Sequence, residues 1–141
     1  MALSFVEREF IPVLLGGDIN VYSVARAFYE QYQVQSVAFG KYHTGPAYRS
    51  LLIDYRPNEK IDTEEVFLST VNAFAHEHAD KKIVLMGCGD GYVALIARAN
   101  DAGALAENII APYGPFELMD SCQKKEVFYD LCEKHGVPYP H

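Results

Sequence analysis

Two glycine-rich runs hold the residues best suited to chemistry: Gly16-Gly17-Asp18-Ile19-Asn20 and Gly87-Cys88-Gly89-Asp90-Gly91-Tyr92. Each follows a short apolar run and precedes apolar residues at helical spacing, so each reads as a strand-to-helix turn. Glycine lets the backbone approach a ligand closely, and the free amides of a helix N-terminus attract carboxylate or phosphate. Gly16, Gly17, Asp18, Asn20, Gly87, Gly89, Asp90, Gly91 and Tyr92 are therefore the expected substrate-binding residues. A tight turn alone explains Gly16-Gly17 equally well. Three glycines within five residues, beside Asp90 and Tyr92, argue more strongly for a ligand at the second run.

The remaining reactive side chains form no constellation. Cys88 occupies a turn at a helix N-terminus, where a thiolate would be stabilised. No catalytic His or Asn is placed beside it, so a structural role is expected. Cys132 falls on the apolar stripe of the last helix and reads as core. His76 and His78 stand two apart on a predicted helix and do not share a face. Without HExxH spacing or a Cys pair, no metal site is expected, and no residue is assigned as a catalytic base. Arg26 reads as a solvated charge, while Tyr92 and Tyr113 sit in loops at the strand ends.

Stepping from these residues to their supports, the period alternates between strand and helix. Phe10 to Leu15 reads as a strand, and a helix follows from Asn20, its expected N-cap. Val34 to Phe39 is a second strand, Lys41 to Arg49 a polar loop, and Leu51 to Tyr55 an edge strand stopped by Pro57. Asp62-x-x-Glu65 resembles a capping box that opens a helix with Phe67, Val71 and Phe74 inward. Ile83 to Met86 is a fourth strand, a helix runs on to about Gly103, and Asn108 to Ala111 is a fifth strand. A closing helix carries Phe128, Leu131, Cys132 and His135 on one stripe. Alternation of this kind predicts an α/β domain with a mainly parallel sheet of about five strands flanked by helices.

Composition narrows the function classes. With 19 acidic against 12 basic residues the net charge is −7, a poor match for a surface that neutralises nucleic-acid phosphates. No apolar run approaches the roughly 18–20 residues needed to span a bilayer, and the acidic start is not a secretory signal. Three cysteines without a CxxC pair argue for a reducing compartment, so a cytoplasmic location is expected. The last residues, a helix, then Gly136-Val137-Pro138-Tyr139-Pro140, read as the lead-in to a further element, and a longer native protein is expected.

The Gly87–Gly91 run also looks like the cofactor loop of S-adenosylmethionine-dependent methyltransferases. Against this, that loop normally follows the first strand, whereas three strand-like segments precede it here. The next strand ends in Pro112 rather than in an acid for ribose hydroxyls. Tyr92 stands where a dinucleotide fingerprint needs Gly or Ala.

Taken in order, strand-GGDxN-helix, strand-GCGDGY-helix, strand-APYG and KxxFYxLCxxxGVPYP resemble the N-terminal portion of ATP-grasp carboxylate–amine ligases. The resemblance covers nearly the whole chain. It implies a Rossmann-like pre-ATP-grasp domain over 1–120, with 121–141 as the opening helix of the ATP-grasp domain proper. It further implies a carboxylate activated by ATP as an acyl phosphate and then attacked by an amine. ATP and Mg2+ would serve the full-length enzyme, with none bound to this portion and no activity from it alone. Lys125, with Lys124 as fallback, matches the lysine that meets nucleotide phosphate. The expected partners are the C-terminal ATP-grasp domain, a small amino-acid or peptide acceptor and, through the closing helix, a second copy in a homodimer; nucleic acid and membrane are not expected. The alternative is a stand-alone α/β small-ligand-binding or regulatory domain.

Overall fold

Phe10–Leu15 forms strand β1, whose residues Val13, Leu14 and Leu15 are wholly buried. The computed structural model of the protein describes residues 2–140. After β1 come helix α1 (Ile19–Tyr32), strands β2 (Ser36–Gly40) and β3 (Ile53–Pro57), and helix α2 (Glu64–Glu77). Strand β4 (Lys82–Gly87), helix α3 (Asp90–Asp101), strand β5 (Ile109–Ile110) and helices α4 (Phe116–Gln123) and α5 (Lys125–His135) complete the order. The five strands form one parallel sheet in the order β3-β2-β1-β4-β5. The α/β class, the parallel sheet and its five strands are as the sequence predicts.

Successive side chains on a strand point to opposite faces, and the two cores follow that alternation. Val13, Leu15, Phe39, Ile83 and Leu85 pack with Phe67 and Val71 of α2 and with Ile96 of α3. Leu14, Ala38 and Ile53 pack on the other face with Val21 and Ala25 of α1 and with Ala47 and Leu52. Each fully buried Val, Leu, Ile or Phe side chain contributes about 1.5–3 kcal/mol, which is why both faces must be covered for a sheet this apolar. Among the described residues no helix is long and apolar enough to cross a membrane.

Parallel strands need a crossover, usually a helix. Between β2 and β3 the crossover is only residues 41–52, and it holds turns in place of a helix. Ala47, wholly buried, and Leu52 anchor it to the α1 face.

Several local expectations are corrected. The N-cap of α1 is Asp18, not Asn20: its Oδ1 accepts from the Asn20 amide at 2.9 Å and the Val21 amide at 3.4 Å. The capping box at Asp62 does not form. Helix α2 starts at Glu64 after its N-cap Thr63, whose hydroxyl donates to Lys60 O at 2.8 Å instead of capping, and Asp62 pairs with Lys41. The closing helix is present, yet of its stripe only Cys132 is buried, and Phe128 is exposed. Helix α4 was not expected at all, although Pro115 just before it and Glu117 in its first turn are start signals. It is fixed to α3 by the Phe116 amide donating to Asp101 Oδ2 at 2.8 Å and by Arg98 lying 4.3 Å above the Phe116 ring.

Candidate functional site

In sheets of this order, ligands bind beyond the C-terminal strand ends, where the strand order reverses. Here that place lies between β1 and β4. The Gly16 amide donates to Phe39 O at 3.0 Å, and the Cys88 amide donates to Leu15 O at 2.9 Å. The second bond holds the β4 loop beside the end of β1, and the first ties the β1 loop to β2.

Two adjoining hollows open there. One of about 390 Å³ is lined by Gly16, Gly17, Asp18, Lys41, Tyr42, Thr44, Gly45, Pro46, Tyr55, Cys88 and Tyr92. The other, about 480 Å³, is lined by Asp18, Asp62, Cys88, Gly89, Gly91, Tyr92 and Leu95. Asp18, Cys88 and Tyr92 belong to both, so the hollows form a single cleft.

The expected residues divide into two groups. Gly16, Gly17, Asp18, Gly89, Gly91 and Tyr92 line the cleft. Asn20, Gly87, Asp90 and Lys125 are not among its lining residues. Asn20 folds back, its side-chain amide donating to Asp18 Oδ2 at 3.1 Å. Gly87 is a packing glycine: a Cβ there would lie 2.7 Å from the Val93 nitrogen, and its amide donates to the Tyr113 hydroxyl at 2.8 Å. Asp90 is exposed in the first turn of α3. Lys125 is exposed at the start of α5, and the fallback Lys124 pairs with Asp120 at 2.7 Å.

The sequence reading missed an entire wall. Lys41, Tyr42, Thr44, Gly45 and Pro46 belong to a stretch read only as a polar loop, and Tyr55 to an edge strand. The same strand-end rule that selected the glycine loops applies to the loop after β2, so Lys41, next to Gly40, could have been found that way.

Electrostatics also depart from expectation. Lys41 Nζ sits 2.6 Å from Asp62 Oδ2, and that hydrogen bond holds the Asp62 carboxyl below and the Lys41 ammonium above their usual ranges. Burial, with the nearby Asp18 charge second, pushes the Cys88 thiol up to about 11, so the expected stabilised thiolate does not form. Burial likewise raises the Tyr55 and Tyr92 phenols. Both helix N-termini beside the cleft carry a carboxylate of their own, Asp18 on α1 and Asp90 on α3. A bound anion would meet those charges, so the amides are poorer anion traps than the glycine pattern suggests.

The cleft therefore offers phenols, backbone groups, the capping carboxylate of Asp18 and the Lys41–Asp62 ion pair, with a protonated thiol. No general base stands beside a nucleophile among these lining residues, so the arrangement suits holding and orienting a ligand. Among the described residues no group of three or more His, Cys, Asp or Glu side chains could hold a metal ion.

No protein-family model matches the chain. The chain is 36% identical over 143 residues to the D-aspartate ligase of Enterococcus faecium (strain Aus0004), a match covering 99% of this chain and 34% of that protein. The chain thus spans about a third of the length of the curated relative it matches. The crystal structure of an L-amino acid ligase from Bacillus licheniformis shares the fold, with a TM-score of 0.56 at 16% identity, over 96% of this chain and 32% of that one.

Proposed function

We propose, from the premise that this chain is an N-terminal domain of the ATP-grasp ligase kind, that it forms the substrate-side wall of an ATP-dependent carboxylate–amine ligase. Its cleft orients an amino-acid or peptide substrate toward a second, ATP-binding half. In the reaction a carboxylate oxygen takes the terminal phosphoryl group of ATP and ADP leaves. An amine nitrogen then attacks the acyl carbon, inorganic phosphate departs, and the nitrogen loses a proton to give the amide. Phosphorylation is needed because a carboxylate at neutral pH is too poor an electrophile for an amine.

The cleft's own residues do not fit ATP or Mg2+. The Asn20 and Val21 amides of α1 are already taken by Asp18, the first turn of α3 carries Asp90, and no metal-ligating cluster exists among the described residues. No step on ATP is therefore assigned to any residue of the cleft, and the nucleotide belongs to the other half. The first residues of that half are proposed to begin with α5, where Lys125 would approach the nucleotide and the exposed Val127 and Phe128 would find cover.

One observation carries the reading. Loops from β1 and β4, distant in sequence, close on a single cleft at the reversal of strand order, in a chain whose whole length matches a third of a D-aspartate ligase. The test is phosphate release from ATP with a panel of amino acids that includes D-aspartate. The 141-residue chain is expected to be inactive, and a polypeptide extending through an ATP-grasp half is expected to turn over. Acceptor-dependent release by the chain alone would sink the proposal.

A further inference from the structure

We infer that Tyr55 is the positioning residue of this cleft: its hydroxyl pins the 41–52 crossover against the β1 loop and so fixes the distance between the cleft's walls. Its place in catalysis rests on the functional reading above; its mechanical role rests on geometry alone.

Tyr55 lies on β3, opposite Ala38 of β2, and its phenol extends across the end of the sheet. The hydroxyl donates to Tyr42 O at 2.8 Å, at the point where the crossover leaves β2. Space for that hydroxyl exists only because side chains are missing around it. A Cβ on Gly40 would fall 2.0 Å from the Tyr55 oxygen, and one on Gly17 would fall 2.7 Å from it. The crossover closes over the same spot, since a Cβ on Gly45 would meet Gly17 O at 2.7 Å. Thus Gly17 and Gly40 leave room for one phenol, and Gly45 brings the crossover against Gly17 beside it. Tyr48 packs edge-on against the Tyr55 ring at 5.6 Å and holds the ring in place.

The crossover needs such a tether. It lacks a helix, so few backbone bonds of its own hold its first residues, and Tyr42 to Pro46 are all exposed. Segments with few buried contacts open locally at low cost. Without the hydroxyl, Tyr42, Thr44 and Pro46 would move away from Gly17 and Cys88, and the cleft would widen.

The test compares the wild-type chain with Tyr55→Phe, which deletes one hydroxyl and keeps the ring. Amide hydrogen exchange over residues 42–48 should quicken about tenfold while β1 and β4 stay unchanged, as expected for losing one local tether. Cys88, across the cleft, should react faster with iodoacetamide, read by peptide mass spectrometry against Cys122 in the same molecule. Gly17→Ala crowds the same hydroxyl from the opposite side and should reproduce both effects. The double variant should be no worse than either single one, because both act on one contact. Unchanged exchange and unchanged Cys88 labelling in Tyr55→Phe would overturn the inference, as would full additivity of the two substitutions. In a polypeptide with ligase turnover, Tyr55→Phe should raise KM for the amino acid selected by the panel above about fivefold, leaving kcat and KM for ATP within about twofold. Faster exchange with an unmoved amino-acid KM would remove Tyr55 from substrate positioning. Absence of turnover in the unmodified polypeptide would instead refute the functional reading and leave exchange and labelling to decide the tether.

Discussion

Lys41 Nζ lies 2.6 Å from Asp62 Oδ2, joining the first residue after β2 to the residue just ahead of the Thr63 N-cap of α2. The pair ties the crossover wall to the opposite side of the cleft. Its side chains are partly exposed, so solvent and salt weaken the attraction. The Asp62 carboxyl titrates below its usual range because Lys41 hydrogen-bonds its charged form. A carboxyl depressed on folding stabilises above its unfolded value of about 4, and that contribution fades as pH falls through the lower folded value. Asp62→Asn should therefore lower the urea midpoint slightly at neutral pH. The difference from wild type should fade as the pH falls through the folded value, and it should shrink in high salt. A difference constant from neutral to acid pH would contradict the pairing.

Asp18 caps α1 through two backbone amides. Asp18→Ala should cost about 1 kcal/mol, and Asp18→Asn only a few tenths, because Asn caps nearly as well. Chemical denaturation of the two variants measures this. Equal losses would show that the charge, rather than the cap, stabilises the turn.

Cys88 titrates at about 11, with burial the larger cause and the Asp18 charge the smaller. Near pH 7.5 it should be protonated and alkylate more slowly than a free thiol, whose pKa is about 8.5. Asp18→Asn should bring the midpoint down without restoring ordinary reactivity. Rapid alkylation of Cys88 at neutral pH would show that the thiol is neither desolvated nor opposed by Asp18.

Gly87 and Gly91 share one loop but should behave oppositely. A Cβ on Gly87 would strike the backbone of Val93 and Tyr92, at 2.7 and 2.9 Å, whereas one on Gly91 meets nothing within 4 Å. Gly87→Ala should cost about 1–3 kcal/mol through overpacking, and Gly91→Ala should gain about 0.5 kcal/mol by reducing unfolded-chain entropy. Thermal unfolding of both variants gives the comparison.

Leu118, Val127, Phe128 and Val137 are exposed on and beyond α4 and α5. In the 141-residue chain this face is expected to bring two copies together in concentrated solution, since exposed apolar patches favour association. Phe128→Glu should weaken it. Small-angle scattering of a monomer at high concentration would contradict the expectation.

Much of the fold was legible because its signals are local. The apolar runs from Phe10 to Leu15 and from Ile83 to Met86, each cut off by glycine, are what a strand covered on both faces requires, whatever its neighbours. The two glycine loops were legible for the same reason, since strand, turn and helix start are contiguous in sequence. The N-cap was misplaced because Asp18 and Asn20 both qualify locally, and only the direction of the Asp18 side chain decides between them. Asp62 shows the limit from another side: its capping pattern is sound, but a lysine 21 residues away binds it instead.

The sequence by itself determined that strands and helices alternate and that two glycine turns follow strands. Tertiary structure alone decided the rest. It brought β1 and β4 together so that the turns share one cleft, and it folded a helix-free crossover over that cleft as a third wall. It also placed the Tyr55 hydroxyl where Gly17 and Gly40 leave room. The physical reason is that strand order and close packing depend on contacts between segments far apart in sequence. Periodicity reports which face of an element is buried, but not which partner buries it.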